Sequence, residues 1–157
     1  MAPFEMLSLA GGLTAAAYAA ELIARRRWRR ALRRLAVEWK MNFGRADTLR
    51  LTEKVARHFP IPGAARLYIT NVIYGADRSD PDRYRYVFTA EFTVGVVRTK
   101  RRLLRVASFT EPKARDRASH RAAHAPAPVT LAPGNLRLLE QCRHLAPAAA
   151  APDAATS

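Results

Sequence analysis

"YRYVFTAEFTVGVV", residues 84–97, is the stretch that sets the architecture. Tyr84, Tyr86, Phe88, Ala90, Phe92, Val94 and Val96 fall on one side of an alternating pattern, and Arg85, Thr89, Glu91 and Thr93 fall on the other. Successive side chains of a strand point to opposite faces, so this pattern predicts a long antiparallel strand with one face on a core and the other in solvent. The neighbouring segments support a sheet. "RLYITNVIYG", 66–75, reads as a strand ending at Gly75, and "ADRSDPD", 76–82, as a turn-rich connection. After the long strand, "RTKR", 98–101, forms the next turn, and "RLLRVASFTEP", 102–112, returns as a third strand that Pro112 ends.

Upstream, "ADTLRLTEKVARHFPIPG" predicts a helix over 47–59, with Asp47 as its cap, Leu51, Val55 and Phe59 as its stripe and Pro60 as its stop. The economical packing is a three-stranded meander with this helix on its apolar face. Downstream, 113–128 is rich in Ala, Arg, His and Pro with no apolar period and reads as an exposed loop. "VTLAP", 129–133, predicts a short edge strand. "GNLRLLEQCRHLAP" then predicts a helix to residue 145, with Asn135 as cap and Leu138, Leu139, Cys142 and Leu145 on one stripe. The Ala/Pro tail, 146–157, is low in complexity and reads as disordered.

The N-terminal part differs in kind. "MLSLAGGLTAAAYAAELIA", Met6–Ala24, carries one charge, Glu21. As a helix it would span ~28 Å, close to the ~30 Å hydrocarbon core of a bilayer. A cleaved leader would need basic residues before the apolar run. Instead the first Lys or Arg is Arg25, and it opens a run of seven arginines that ends at residue 34. Positive flanks stay in the cytoplasm, so the expectation is a transmembrane anchor over 1–24 in the plasma membrane, N-terminus outside. A soluble alanine-rich helix is the plainer alternative. Glu21 stands one turn before Arg25, where the two can pair.

The net charge is +14, and residues 25–40, with seven arginines and Lys40 against Glu38, supply +7 of it. Trp28, Leu32, Leu35, Trp39 and Phe43 recur at helical spacing, which predicts a basic amphipathic helix over 25–44 continuing from the span. Its candidate contacts for anionic lipid or phosphate are Arg25, Arg26, Arg27, Trp28, Arg29, Arg30, Arg33 and Arg34. Arg98, Lys100, Arg101 and Arg102, with Arg105 nearby, form a secondary basic patch at a hairpin tip. Nucleic acid is the rival partner, since arginines around a tryptophan also suit phosphates and stacked bases.

Other candidates carry little chemistry. His120 and His124 are spaced as a helical metal pair but have no third ligand in view. Asp77, Asp80 and Asp82 lack the spacing of a calcium loop. His58 suits a helix C-terminus, Glu91 reads as a solvent-facing carboxylate, and Cys142 as a buried inert thiol. No glycine-rich phosphate loop and no Ser/His/Asp arrangement occurs. No catalytic residues, metal or cofactor are expected.

The order of span, arginine-rich flank, "LAVEWKMNFGRADTLRL", "ITNVIYG" and "YVFTAEFTVGVVRTKRR" resembles small bacterial single-pass membrane proteins whose domain has no assigned function. The resemblance covers roughly residues 5–112 and implies architecture and location rather than activity. The full expectation is an α+β protein. A transmembrane anchor (1–24) and a basic juxtamembrane helix (25–44) lead into an α+β core (45–112), an exposed loop (113–128), an edge strand and helix (129–145) and a tail (146–157). The core is a sheet of three to four antiparallel strands packed with one or two helices. Its expected role is a non-enzymatic interaction or scaffolding module at an anionic membrane surface, with the domain cytoplasmic. A soluble basic nucleic-acid-binding protein is the alternative.

Overall fold

A computed structural model describes residues 3–95, 100–113 and 129–147, with side chains from residue 11 onward. The chain runs α1 (Pro3–Glu38), β1 (Asn42–Ala46), α2 (Leu51–Ala56), β2 (Ala65–Ala76), β3 (Arg83–Val94), β4 (Arg101–Pro112), β5 (Thr130–Leu131) and α3 (Leu138–His144). The five strands make one antiparallel sheet in sequence order, β1-β2-β3-β4-β5. The α+β class stands, and the expected three or four strands become five because β1 begins within the last residues of the segment expected to be helix, 25–44, and runs past it.

The long alternating segment is the centre of the sheet. β3 pairs β4 without a break in register from Arg83↔Pro112 to Val94↔Arg101. It ends at Val94, before Gly95, which adopts φ 105, a conformation glycine enters without a Cβ penalty; Val96 and Val97 of the pattern lie outside the described residues. Tyr86, Phe88, Ala90 and Phe92 face one core, closed by Leu51 and Val55 of α2 and by Ala107 and Phe109 of β4. Phe59 meets the Phe92 ring edge-on, with centroids 4.9 Å apart. At the end of this face, burial pushes the Tyr86 phenol well up from its ordinary value, and its O–H donates to Glu111 Oε1 at 2.6 Å.

The opposite face is not open to solvent along its length, contrary to the half-buried expectation. Val87, Ile73 and Val106 form a second core with Leu32, Leu35, Ala36 and Trp39 of α1 and Cys142 and Leu145 of α3. Thr89, expected on a solvent face, is buried as well. The stripe on α1 had two ways to leave water, a bilayer surface or the sheet. The sheet supplies a complementary apolar face, so the stripe is spent on the fold. The result is three layers: α2 on one face of the sheet, α1 and α3 on the other.

Local geometry explains the boundaries. α1 ends in a left-handed residue, Lys40 (φ 54), with Met41 N–H bonded to Ala36 O at 2.8 Å and Lys40 N–H to Val37 O at 2.9 Å. That paired closure satisfies the last carbonyls and turns the chain into β1, so Phe43 is on a strand and not on the amphipathic helix. α2 is shorter than the expected 47–59, but Asp47 still serves its N-terminus. Its carboxylate accepts from Leu51 N–H at 2.6 Å and from Thr52 N–H at 2.7 Å. In β2, one extra residue lies between the pairs Thr70↔Thr89 and Ile73↔Val87, and Asn71 takes φ 53 there. Three residues apart, Thr70 and Ile73 would otherwise face opposite ways; the bulge returns both to the α1 side.

α3 begins at Leu138, and Asn135 is not its cap. Glu140 Oε2 reaches back to Arg137 N–H at 2.9 Å. The buried Gln141 amide ties this helix to the sheet, accepting from Val106 N–H at 2.9 Å and donating to Leu136 O at 2.8 Å. It gives a partner to one backbone N–H of β4, beside the two-residue β5, and to one carbonyl of the loop before α3.

α1 is one continuous helix, and every described residue from Gly11 to Arg27 is exposed. Its stretch from Pro3 to Arg27, roughly 37 Å at ~1.5 Å per residue, therefore precedes the part that packs on the sheet. Leu13, Tyr18 and Ile23 are more than half exposed along it. Among the described residues no helix is long and apolar enough to cross a membrane, so the expected span is a helix without support as a transmembrane one. The expected loop from 114 onward and the expected tail from 148 lie outside the described residues, as do His120 and His124.

Candidate functional site

The root of α1, where the helix reaches the sheet, gathers the charge. Arg25, Arg26, Arg27, Arg29, Arg30, Arg33 and Arg34 are all exposed. Trp28 is not a free aromatic; it packs partly buried against the second core beside Leu32. Because the helix lies on the sheet through Leu32, Leu35 and Ala36, its arginines divide to the two sides of that contact line.

On one side, a cleft of about 510 Å³ opens between α1 and the sheet. Arg25 and Arg29 come from α1, Arg45 from β1 and Arg102 from β4, while Thr70, Asn71 and Thr89 are contributed by β2 and β3. Trp28, Leu104 and Leu138 add apolar surface. Glu91 also lines it and is paired with Arg102. Arg25 is paired with Glu21 at 2.5 Å, the i,i+4 contact the sequence suggested. Among the described residues Arg29 and Arg45 have neither an ion pair nor a side-chain hydrogen bond. On the other side, a groove of about 520 Å³ runs between α1 and α3, with Arg27, Arg30, Arg34 and Arg143 along it and Glu38 and Leu139 among its walls. Arg33 lies over the Phe43 ring, 5.8 Å from its centroid.

The two basic clusters that are far apart in sequence are thus partly joined. Arg102 of the hairpin patch shares a cleft with Arg25 and Arg29, and Glu91 is the partner of Arg102 rather than a lone surface carboxylate. Lys100 and Arg101 are exposed at the start of β4, and Arg98 lies outside the described residues. Arg45, Thr70, Asn71 and Arg143 escaped the sequence reading. Arg45 sits on a strand that the sequence reading did not predict, and Asn71 is marked only by its bulge.

The remaining candidates take structural parts. Asp77 is buried and accepts from Ser79 N–H at 3.1 Å and Ser79 Oγ at 2.7 Å, which closes the β2–β3 connection. Burial pushes the Cys142 thiol up to about 12, so it stays protonated and unreactive at neutral pH. His58 is exposed just past α2. Among the described residues no group of three His, Cys, Asp or Glu side chains could hold a metal ion. Comparisons with protein families, with curated proteins and with solved structures find no match for this chain.

Proposed function

We propose that the chain is a membrane-anchored interaction module, held at an anionic bilayer by α1 with its sheet domain on the cytoplasmic side. The observation that carries this reading is the form of α1. A long exposed segment bearing Leu13, Tyr18, Leu22 and Ile23 runs into a ring of arginines at the point where the domain begins. A monomer gains nothing by exposing such a segment to water, whereas a bilayer gives its apolar side chains a solvent. The arginines then stand at headgroup depth, where each contributes about 1 kcal/mol of attraction to anionic lipid. Met6, Leu7 and Leu9 add apolar weight in the part of α1 whose side chains lie outside the described residues. Orientation follows from the arginines, which are disfavoured for translocation. A polynucleotide would use the same cations, but it also wants an aromatic face for stacking, and Trp28 is given to the core.

The test is fractionation of cells making the full-length chain. Membranes should retain it through washes in roughly 1 M salt, where screening falls to ~3 Å, and through alkaline carbonate. A chain lacking residues 1–24 keeps every residue of α1 that is buried among the described ones and should leave the membrane in the salt wash. Recovery of the full-length chain in the soluble fraction would sink the proposal.

A further inference from the structure

We infer that the cleft between α1 and the sheet is a binding site for a phosphomonoester group. Its charge is the first argument. Of the four arginines that line it, Arg25 is balanced by Glu21 and Arg102 by Glu91. Arg29 and Arg45 stand on opposite walls, one on a helix and one on a strand, and are unpaired among the described residues. Two uncompensated cations suit a group carrying about −1.5 to −2 at neutral pH, the charge of a phosphomonoester, better than the single charge of a phosphodiester. Guanidinium forks also match phosphate oxygens in pairs, which a diffuse lysine patch does not.

The lining is the second argument. Thr70 and Thr89 present hydroxyls and Asn71 an amide, so neutral donors supplement the cations on the sheet side. The bulge at Asn71 is what brings Thr70 to this face, and Asn71 holds φ 53 to make it. Leu104 and Leu138 offer apolar contact to whatever carries the phosphate. Position is the third argument. Arg25 and Arg29 lie within two turns of Ile23, the last large apolar residue of the exposed segment. If α1 enters a bilayer, the cleft opens at headgroup level. The inference rests on the membrane reading for the source of its ligand, and on the cleft alone for the chemistry.

The experiment has two arms on the full-length chain. In the first, binding is measured to phosphatidylcholine vesicles that carry phosphatidate or phosphatidylserine at matched surface potential. In the second, inorganic phosphate is titrated against the chain in neutral detergent, with sulfate as competitor. The variants are Arg45→Gln, which removes a cleft cation remote from α1, and Arg26→Gln, which removes an equal charge from the helix without lining the cleft. Circular dichroism confirms folding of both, as both side chains are exposed.

The expected result is a preference for phosphatidate over phosphatidylserine that Arg45→Gln lowers about tenfold, the scale of one lost charge-assisted contact, whereas Arg26→Gln weakens binding to both vesicles alike and leaves their ratio unchanged. Phosphate binding that depends on Arg45 without a phosphatidate preference supports the site with a free phosphate compound as its source. Equal binding to both vesicles together with no Arg45-dependent phosphate binding overturns the inference and leaves the membrane reading standing. Loss of all vesicle binding with phosphate binding intact does the reverse.

Discussion

Phe88→Asp is expected to abolish the folded domain. Phe88 is 1% exposed at the middle of β3, with Tyr86, Ala90 and Phe92 beside it on the face that α2 covers. Removing a buried phenyl ring costs about 3–5 kcal/mol, and an unpaired carboxylate in its place adds a desolvation penalty of several more. Together these match the ~5–15 kcal/mol that a domain of this size has in total. Glu91→Ala, three residues along on the other face, should stay within about 1 kcal/mol, because its partner Arg102 is an exposed cation. Denaturant melts followed by circular dichroism decide the comparison. A cooperative transition for Phe88→Asp near the native midpoint would mean that the strand faces are assigned backwards.

The second large effect is on α1. Leu32→Asp should cost several kcal/mol, because Leu32 is 1% exposed between the helix and the Ile73, Val87 and Val106 face. Val37→Asp, five residues on and 77% exposed, should cost no more than about 1 kcal/mol, mostly from a negative charge near the helix C-terminus. If the stripe of α1 served the bilayer and not the fold, Leu32→Asp would weaken vesicle binding and leave the melting midpoint of the domain unchanged.

That pair marks where the sequence was readable and where it was not. The alternation at 84–97 shows through because one core lies on each side of β3 and the larger aromatic residues all take the same one. Asp47 was legible as a cap because a carboxylate four residues before an apolar stripe has few other uses. β1 was not legible. Its five residues, "NFGRA", carry no alternation, and Phe43 falls at helical spacing from Trp39 by coincidence. The left-handed turn at Lys40 that separates them needs no glycine and leaves no mark in composition. The amphipathic stripe of α1 was visible, but its destination was not, since periodicity states that a face must be covered and never by what.

The site was half legible for a related reason. An arginine run shows its charge in sequence but not its counterions. Which arginines remain unpaired depends on Glu91, read as a lone carboxylate, and on Arg45, on a strand the pattern concealed. The cleft exists because α1 lies across the sheet and then leaves it, a relation between residues 25–29 and 102–104 that no local pattern encodes.

In the proposed arrangement one helix serves two media, a sheet at its root and a bilayer beyond it. Fluorophore depth tests that most directly. Leu13→Cys and Val37→Cys put a label on exposed positions at either end of the described part of α1, 65% and 77% exposed in the native side chains. Cys142 is buried, with its thiol pushed up to about 12, so it does not compete for the label at neutral pH. On anionic vesicles the label at position 13 should shift to the blue and be quenched by brominated acyl chains, while the label at position 37 keeps its emission in water. Water-like, unquenched emission at both positions with the chain bound would contradict the account, because the apolar half of α1 would then have stayed outside the bilayer.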